Sequence, residues 1–249
     1  MAEFKHAIAF KLTASMTLVQ PWDALRSEII RKALSIGIAV SIYGVSFGAL
    51  GSATGLSVAQ TQALSLLMFT GASQFALVST IASGGTAIAA ILAAWLLGTR
   101  NAAYSLRMSP VLQVTGVKRM LASHFTIDES TAMGLSQDEQ LYEGDASRLA
   151  FWSTGLSVFV LWNIATFIGA ITVNAIGDPK ALGLDAAIAA GLFALVWPQI
   201  KDRYTMTAAV GGALIALLMT PLLPAGLPVL AAATVAVIIG WSWSKQVNL

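Results

Sequence analysis

The 249-residue sequence has no cysteine, only two histidines, and charge on just 10% of its residues. The missing cysteines exclude disulfides, thiolate metal sites and cysteine nucleophiles. His6 and His124 both fall in polar stretches, and no HExxH occurs. No Asp or Glu lies within an apolar run, so an intramembrane protease would have no Ser–His, paired-Asp or metal site to draw on. An acidic filter ring of the kind found in cation channels is missing for the same reason. The basic residues sit at the borders of apolar runs and form no nucleic-acid-binding patch. Residues 1–32 have no continuous apolar stretch ahead of a cleavage site, so they do not read as a signal peptide. These absences lead us to expect no enzyme activity, no catalytic residues, no metal, no cofactor and no nucleic-acid partner.

What is present is hydrophobic. The hydrophobic share is 57% and the mean hydropathy is +0.76, whereas soluble domains carry about 25% charged residues. The expected class is all-α, a polytopic integral protein of the lipid bilayer. Seven hydrophobic segments can be drawn, at about 33–52, 59–82, 87–97, 149–176, 184–200, 204–222 and 227–243. Most are long enough for a helix to cross ~30 Å of hydrocarbon. They form one transmembrane transport domain over about 33–244. Residues 1–32, with Lys5, Lys11, Arg26, Arg31 and Lys32, read as a cytoplasmic segment, either a solvated tail or an interfacial helix. The polar stretch at about 107–148 reads as a cytoplasmic loop in which Phe125–Ser130 opens a short helix. Gly44 and Gly48 form a small-xxx-small pair suited to close helix packing.

The distribution of Lys and Arg adds a constraint. Basic residues before the first segment, Lys118 and Arg119, Lys201 and Arg203, and Lys245 all read as cytoplasmic. Three full crossings before residue 107 would put the basic loop outside. One segment between Ala59 and Tyr104 should therefore fail to cross, which gives about six crossings plus one broken or re-entrant helix. Two places suit the break: Gly71–Gln74, and the short run ahead of Arg100. The rival explanations are that basic residues do not set the topology here, or that the N-terminus is external.

The stretch Phe69–Thr70–Gly71–Ala72–Ser73–Gln74–Phe75 lies inside the second apolar run. Lipid cannot satisfy its polar groups, so protein, water or a solute must. A helix start near Gly71 would offer free amides to a carboxylate. Ser73 and Gln74 would add side-chain partners or else join helices, and Phe69, Phe75, Leu77 and Val78 would line an apolar pocket. Arg100 has two readings. It binds a carboxylate at membrane depth, or it snorkels to the cytoplasmic surface. Asn101 and Tyr104 share its neighbourhood. Asn163 is a weaker candidate, read as an interhelical hydrogen bond. The expected substrate-binding set is Thr70, Gly71, Ala72, Ser73, Gln74, Phe75, Arg100, Asn101 and Tyr104. Proton coupling, if used, would need Asp128, Glu129 or Asp202 near an interface, or groups on a partner chain.

The order of "FTGASQF", then Arg100, Tyr104, Ser105, Ser109 and Pro110, then Phe125, Asp128 and Glu129, resembles the AzlC-type branched-chain amino-acid permeases over about residues 28–170. The resemblance implies a large subunit working with a small, four-helix AzlD-type partner. It implies export of valine, leucine, isoleucine and, in some members, methionine across the plasma (inner) membrane. Residues 1–25 match nothing expected of that family. A non-transporting assembly subunit, or a carrier of another small zwitterion, is the alternative.

Overall fold

Small residues decide which helices touch first. In the computed structural model, which describes residues 21–137, 141–176, 193, 197, 200–223 and 227–247, two 32-residue helices lie side by side: α1 (Trp22–Ala53) and α7 (Asp145–Ile176). Gly44 packs on the backbone of Trp162 and on Ala165, Gly48 on the Thr166 carbonyl, and Gly169 on the Val45 carbonyl. A Cβ at any of these glycines would force the backbones apart, so the small residues permit the crossing. The contacts also fix direction. Ile29 clusters with Ala146 and Ala150, and Ser52 Oγ donates to the Ala170 carbonyl at 3.1 Å. Numbers rise together along both helices, so α1 and α7 are parallel.

The chain next forms α2 (Val58–Leu67) and α3 (Ala72–Ala82), with no helix between Met68 and Gly71. Ser57 and Gln60 cap α2 reciprocally, at 3.2 and 2.9 Å, a pattern readable in sequence as S-x-x-Q. α2 starts beside the far end of α1, where Gly51 meets Thr61. Ten residues rise only about 15 Å, and α2 reaches mid-height, where the Phe69 ring lies 5.1 Å from Phe159. α3 then turns back. Phe75 packs on Phe47 and Trp162, and Leu77 shares a groove with Leu56 and Gln60 at the start of α2. Both ends of this hairpin lie on one side of the bundle.

α4 (Ala87–Leu112) returns antiparallel to α3 and α7. Its Gly98 faces Ser73, and its Val111 carbonyl accepts from Arg148 Nε at 3.1 Å near the start of α7. Pro110 and a left-handed Gln113 (φ 50°) end it. A second hairpin follows, α5 (Gly116–Phe125) and α6 (Asp128–Leu135). It enters from the side where α4 ends. Ala122 clusters with Met108 and Phe151, and Phe125 reaches mid-height at Gly155 and Phe159. α6 descends again until Met133 meets Ile29 and Ala150. The two hairpins therefore enter the bundle from opposite ends and meet tip to tip. The Phe69 and Phe125 rings lie 6.5 Å apart, edge to face. α8 (Arg203–Met219) and α9 (Leu227–Val247) pack mainly on each other, with Gly211 against Val235.

Among the described residues every regular element is helical. Three helices, α1, α4 and α7, are long and apolar enough to cross a membrane, and α3 and α8 are apolar but shorter. The all-α membrane class holds. Several expected boundaries move. α1 begins at Trp22 rather than near residue 33: Trp22, Leu25 and Ile29 pack on Met133, Ala146 and Ala150 in a charged stretch that hydropathy skips, and a Lys32–Glu28 pair at 2.7 Å adds a little. Of the two sites for a break, the backbone breaks at Met68–Gly71 and α4 runs intact through Arg100. The stretch expected as a loop at 107–148 holds the end of α4 and a hairpin tucked into the bundle. Residues 1–20 and nearly all of the segment at 184–200 lie outside the described residues.

Candidate functional site

A cavity of about 210 Å³ lies where the two tips meet. Drug-sized pockets span roughly 300–1,000 Å³, so this one suits a smaller solute. Val40, Leu97, Val158 and Trp162 supply much of its apolar wall, and Phe69 and Ile127 come from the two tips. Its polar end is built by Thr70, Gly71 and Ala72 at the start of α3, Arg100 on α4, and Asp128 and Glu129 at the start of α6.

Local chemistry explains each tip. Gly71 has φ 60° and ψ −88°, a backbone conformation that side-chain-bearing residues rarely adopt. Gln74 then spans the hairpin. Its Oε1 accepts from the Gly71 amide at 3.2 Å, and its Nε2 donates to the Leu64 carbonyl at 3.1 Å. At the second tip Ser130 takes the same place. Its Oγ accepts from the Ile127 amide at 3.1 Å and donates to the Phe125 carbonyl at 2.6 Å. The first amides of α3 and α6 have no partner within their own helices and carry partial positive charge.

Arg100 ties the tips together. Its Nη1 donates to Asp128 Oδ2 at 2.8 Å and its Nη2 to the Thr70 carbonyl at 3.3 Å. Glu129 is half-buried beside this pair. Desolvation pushes its carboxyl above the usual range, the Asp128 charge adds to the rise, and its own backbone amide and Arg100 oppose it. Four polar atoms on lining residues have no protein hydrogen-bond partner: Thr70 Oγ1, Arg100 Nε, Asp128 Oδ1 and Trp162 Nε1. Three carry protons to donate and one is a carboxylate oxygen. Buried groups of this kind call for a partner. Among the described residues no cluster of three or more His, Asp or Glu is arranged to hold a metal.

The structure divides the expected site residues. Thr70, Gly71, Ala72 and Arg100 line the cavity together. Ser73 opens instead into a groove between α3 and α4, opposite Gly98. Gln74, fully buried, is engaged at both ends in holding the hairpin, and Phe75 belongs to the aromatic core with Phe47 and Trp162. Asn101 and Tyr104 follow Arg100 on α4 without lining the cavity, Tyr104 lying near Asp128. Arg100 is held at mid-height of the bundle by a carboxylate and a freed carbonyl. Asn163 accepts from Gln62 Nε2 at 3.0 Å, the expected interhelical bond.

Sequence reasoning left Asp128, Glu129 and Trp162 out of the expected site set, although all three line the cavity. A signal for the two acids was present. Phe69–Thr70 followed four residues on by Gln74 is matched by Phe125–Thr126 followed four residues on by Ser130, an offset of 56 positions with the helix starts in register. Trp162 had no such marker, since an aromatic in an apolar helix reads as core.

The family described as AzlC protein matches residues 35–176, which include α2 to α6 entire, most of α1, all of α7 and every cavity-lining residue. No curated protein and no solved structure matches the chain. The match covers more than half of the 249 residues, and the chain belongs to the AzlC family.

Proposed function

We propose that the protein is the large subunit of a secondary exporter of branched-chain amino acids in the plasma membrane, working with a small four-helix AzlD-type subunit. In this reading α1, α4, α7 and the later helices cross the bilayer, and the two hairpins are re-entrant. Irregular backbone at membrane depth is tolerated where it lines a cavity, and discontinuous helices build the sites of many secondary transporters. Family membership supports a role in branched-chain amino-acid transport.

The observation that carries the reading is the match between the cavity and a zwitterion with an aliphatic side chain. The α-carboxylate fits the Ala72 end of α3, with Thr70 Oγ1, Arg100 Nε and Trp162 Nε1 as donors. The ammonium fits Asp128 Oδ1 and the Glu129 carboxylate. The side chain fits the wall formed by Val40, Leu97 and Val158. No other charged group is needed.

The test is leucine and valine export from cells preloaded with dipeptide, with the chain alone and with a small four-helix subunit. Export that needs the chain and falls at least tenfold in Arg100→Ala, Asp128→Asn and Trp162→Phe, at unchanged membrane abundance, supports the assignment. Export unaffected by all three would leave the family standing and remove the cavity. No export of any branched-chain amino acid or methionine would point to an assembly subunit.

A further inference from the structure

The charges in the cavity do not balance. Arg100 is matched by Asp128, with the oxygen and nitrogen 2.8 Å apart, which leaves the Glu129 carboxyl facing the same space without a cation of its own. A zwitterion adds no net charge. Bound through its ammonium, it places a positive group at the carboxylates, and when it leaves that position is empty.

We infer that Glu129 is a shared site, occupied in turn by the substrate ammonium and by a proton, so that transport is an exchange of one amino acid for one proton. This rests on the amino-acid reading of the cavity. Glu129 sits in the first turn of α6, at the tip of a hairpin that enters from one side, opposite the tip of a hairpin that enters from the other. A group at that meeting point can face either side as the tips move apart. The ionisable groups around it are Asp128 on its own helix and Arg100 and Tyr104 on α4; His124, at the end of α5, packs on Phe69, Phe125 and Phe159. The side chains lining the cavity from α1, α3 and α7 are Val40, Ala72, Val158 and Trp162, none of which is charged. Two carboxylates beside one cation resist double ionisation in a desolvated site, and the raised affinity of Glu129 for protons agrees.

The exchange balances as follows. With Glu129 ionised, the ammonium binds. On the more acidic side a proton takes the carboxylate and the zwitterion leaves. The proton is released on the less acidic side, where the next amino acid binds. A cell that is acid outside therefore drives export, and one net positive charge moves inward per amino acid.

The test is leucine binding and flux in proteoliposomes holding the full chain with its small subunit, between pH 5 and 8. Competition predicts that the apparent leucine Kd falls tenfold per pH unit until Glu129 is ionised, then levels off. Glu129→Gln should bind weakly at every pH with no slope, and leucine efflux should no longer carry protons. Glu129→Asp should keep the slope with its plateau at lower pH, which guards against reading a misfolded variant as support. A flat profile in the natural protein, or an unchanged slope in Glu129→Gln, overturns the exchange while leaving leucine transport intact. Absence of leucine binding at all pH values overturns the amino-acid reading and the exchange with it.

Discussion

The two hairpins share a plan and differ in chemistry. Each joins two half-helices of eight to eleven residues. Each carries Phe–Thr near its tip and a polar side chain at the third helical position that bonds both arms. The first hairpin has no charged residue between Val58 and Ala82 and turns on Gly71. The second turns on Ile127 in ordinary extended backbone (φ −127°) and opens with two acids. One tip offers bare amides to an anion, and the other offers carboxylates to a cation. A single helix start could bind either end of a zwitterion. In the proposed reading, two opposed starts with different first turns would bind both ends and fix its orientation.

That comparison can be broken most sharply by accessibility. The chain has no native cysteine, so single substitutions report cleanly. Thr54→Cys and Ser83→Cys, at the two ends of the first hairpin, should react with an impermeant maleimide from one side of the membrane only. Val114→Cys and Ser136→Cys should react only from the other. Labelling of Thr54→Cys and Ser83→Cys from opposite sides would make α2–α3 a crossing helix and end the opposed-hairpin arrangement.

The link between tips comes next in size. Arg100→Ala leaves Asp128 without its cation at a site where both side chains are about one-third exposed. The full penalty for orphaning a buried charge is ~3–5 kcal/mol, and partial exposure lowers it to about 2–3 kcal/mol. Abundance and export should both fall. The double neutral variant Arg100→Gln with Asp128→Asn should recover abundance, measured by blot or fluorescence, and not export. Recovery of both would assign the pair a purely structural role.

The turn residues separate the hairpins by mechanism. Gly71→Ala meets no neighbour within 4 Å, so its cost is backbone strain, about 1–3 kcal/mol. Ile127→Val keeps a permitted backbone and loses only one buried methylene, about 1 kcal/mol. Thermal unfolding in detergent should rank them in that order. The spanning side chains should follow. Gln74→Ala leaves the Gly71 amide unpaired while the Met68 amide still serves the Leu64 carbonyl, and Ser130→Ala leaves the Ile127 amide and the Phe125 carbonyl unpaired, for about 2 kcal/mol each.

The smallest effect is the pH dependence of stability. Glu129 holds its proton to higher pH in the folded protein than in the unfolded chain, so the folded state binds more protons across that interval. Stability therefore declines as pH rises from the unfolded value through the folded one, and stays lower above it. Glu129→Gln should remove the decline, so the Tm difference between variant and natural protein should grow in the variant's favour over that interval. Parallel Tm curves would place Glu129 in water.

The sequence already determined the class of this protein and pointed to Thr70, Gly71, Ala72 and Arg100, which line one side of the cavity. Sparse charge and long apolar runs leave no other solvent than lipid. Gly71 among polar residues in such a run marks an interrupted helix, because hydrocarbon cannot satisfy the freed backbone. The packing role of the Gly44–Gly48 face was legible for the same kind of reason, since only small residues let backbones meet. Hydropathy misread residues 116–135 as loop, because a hairpin that carries its charge to a protein-lined cavity looks polar when averaged along the chain. Only the tertiary structure brought Asp128 within 2.8 Å of Arg100 across 28 positions. Pairing at that separation depends on the parallel packing of α1 and α7 and on two half-helices stopping at the same height. No local pattern encodes such a coincidence of heights, and it turns a loop acid and a helix arginine into the two sides of one cavity.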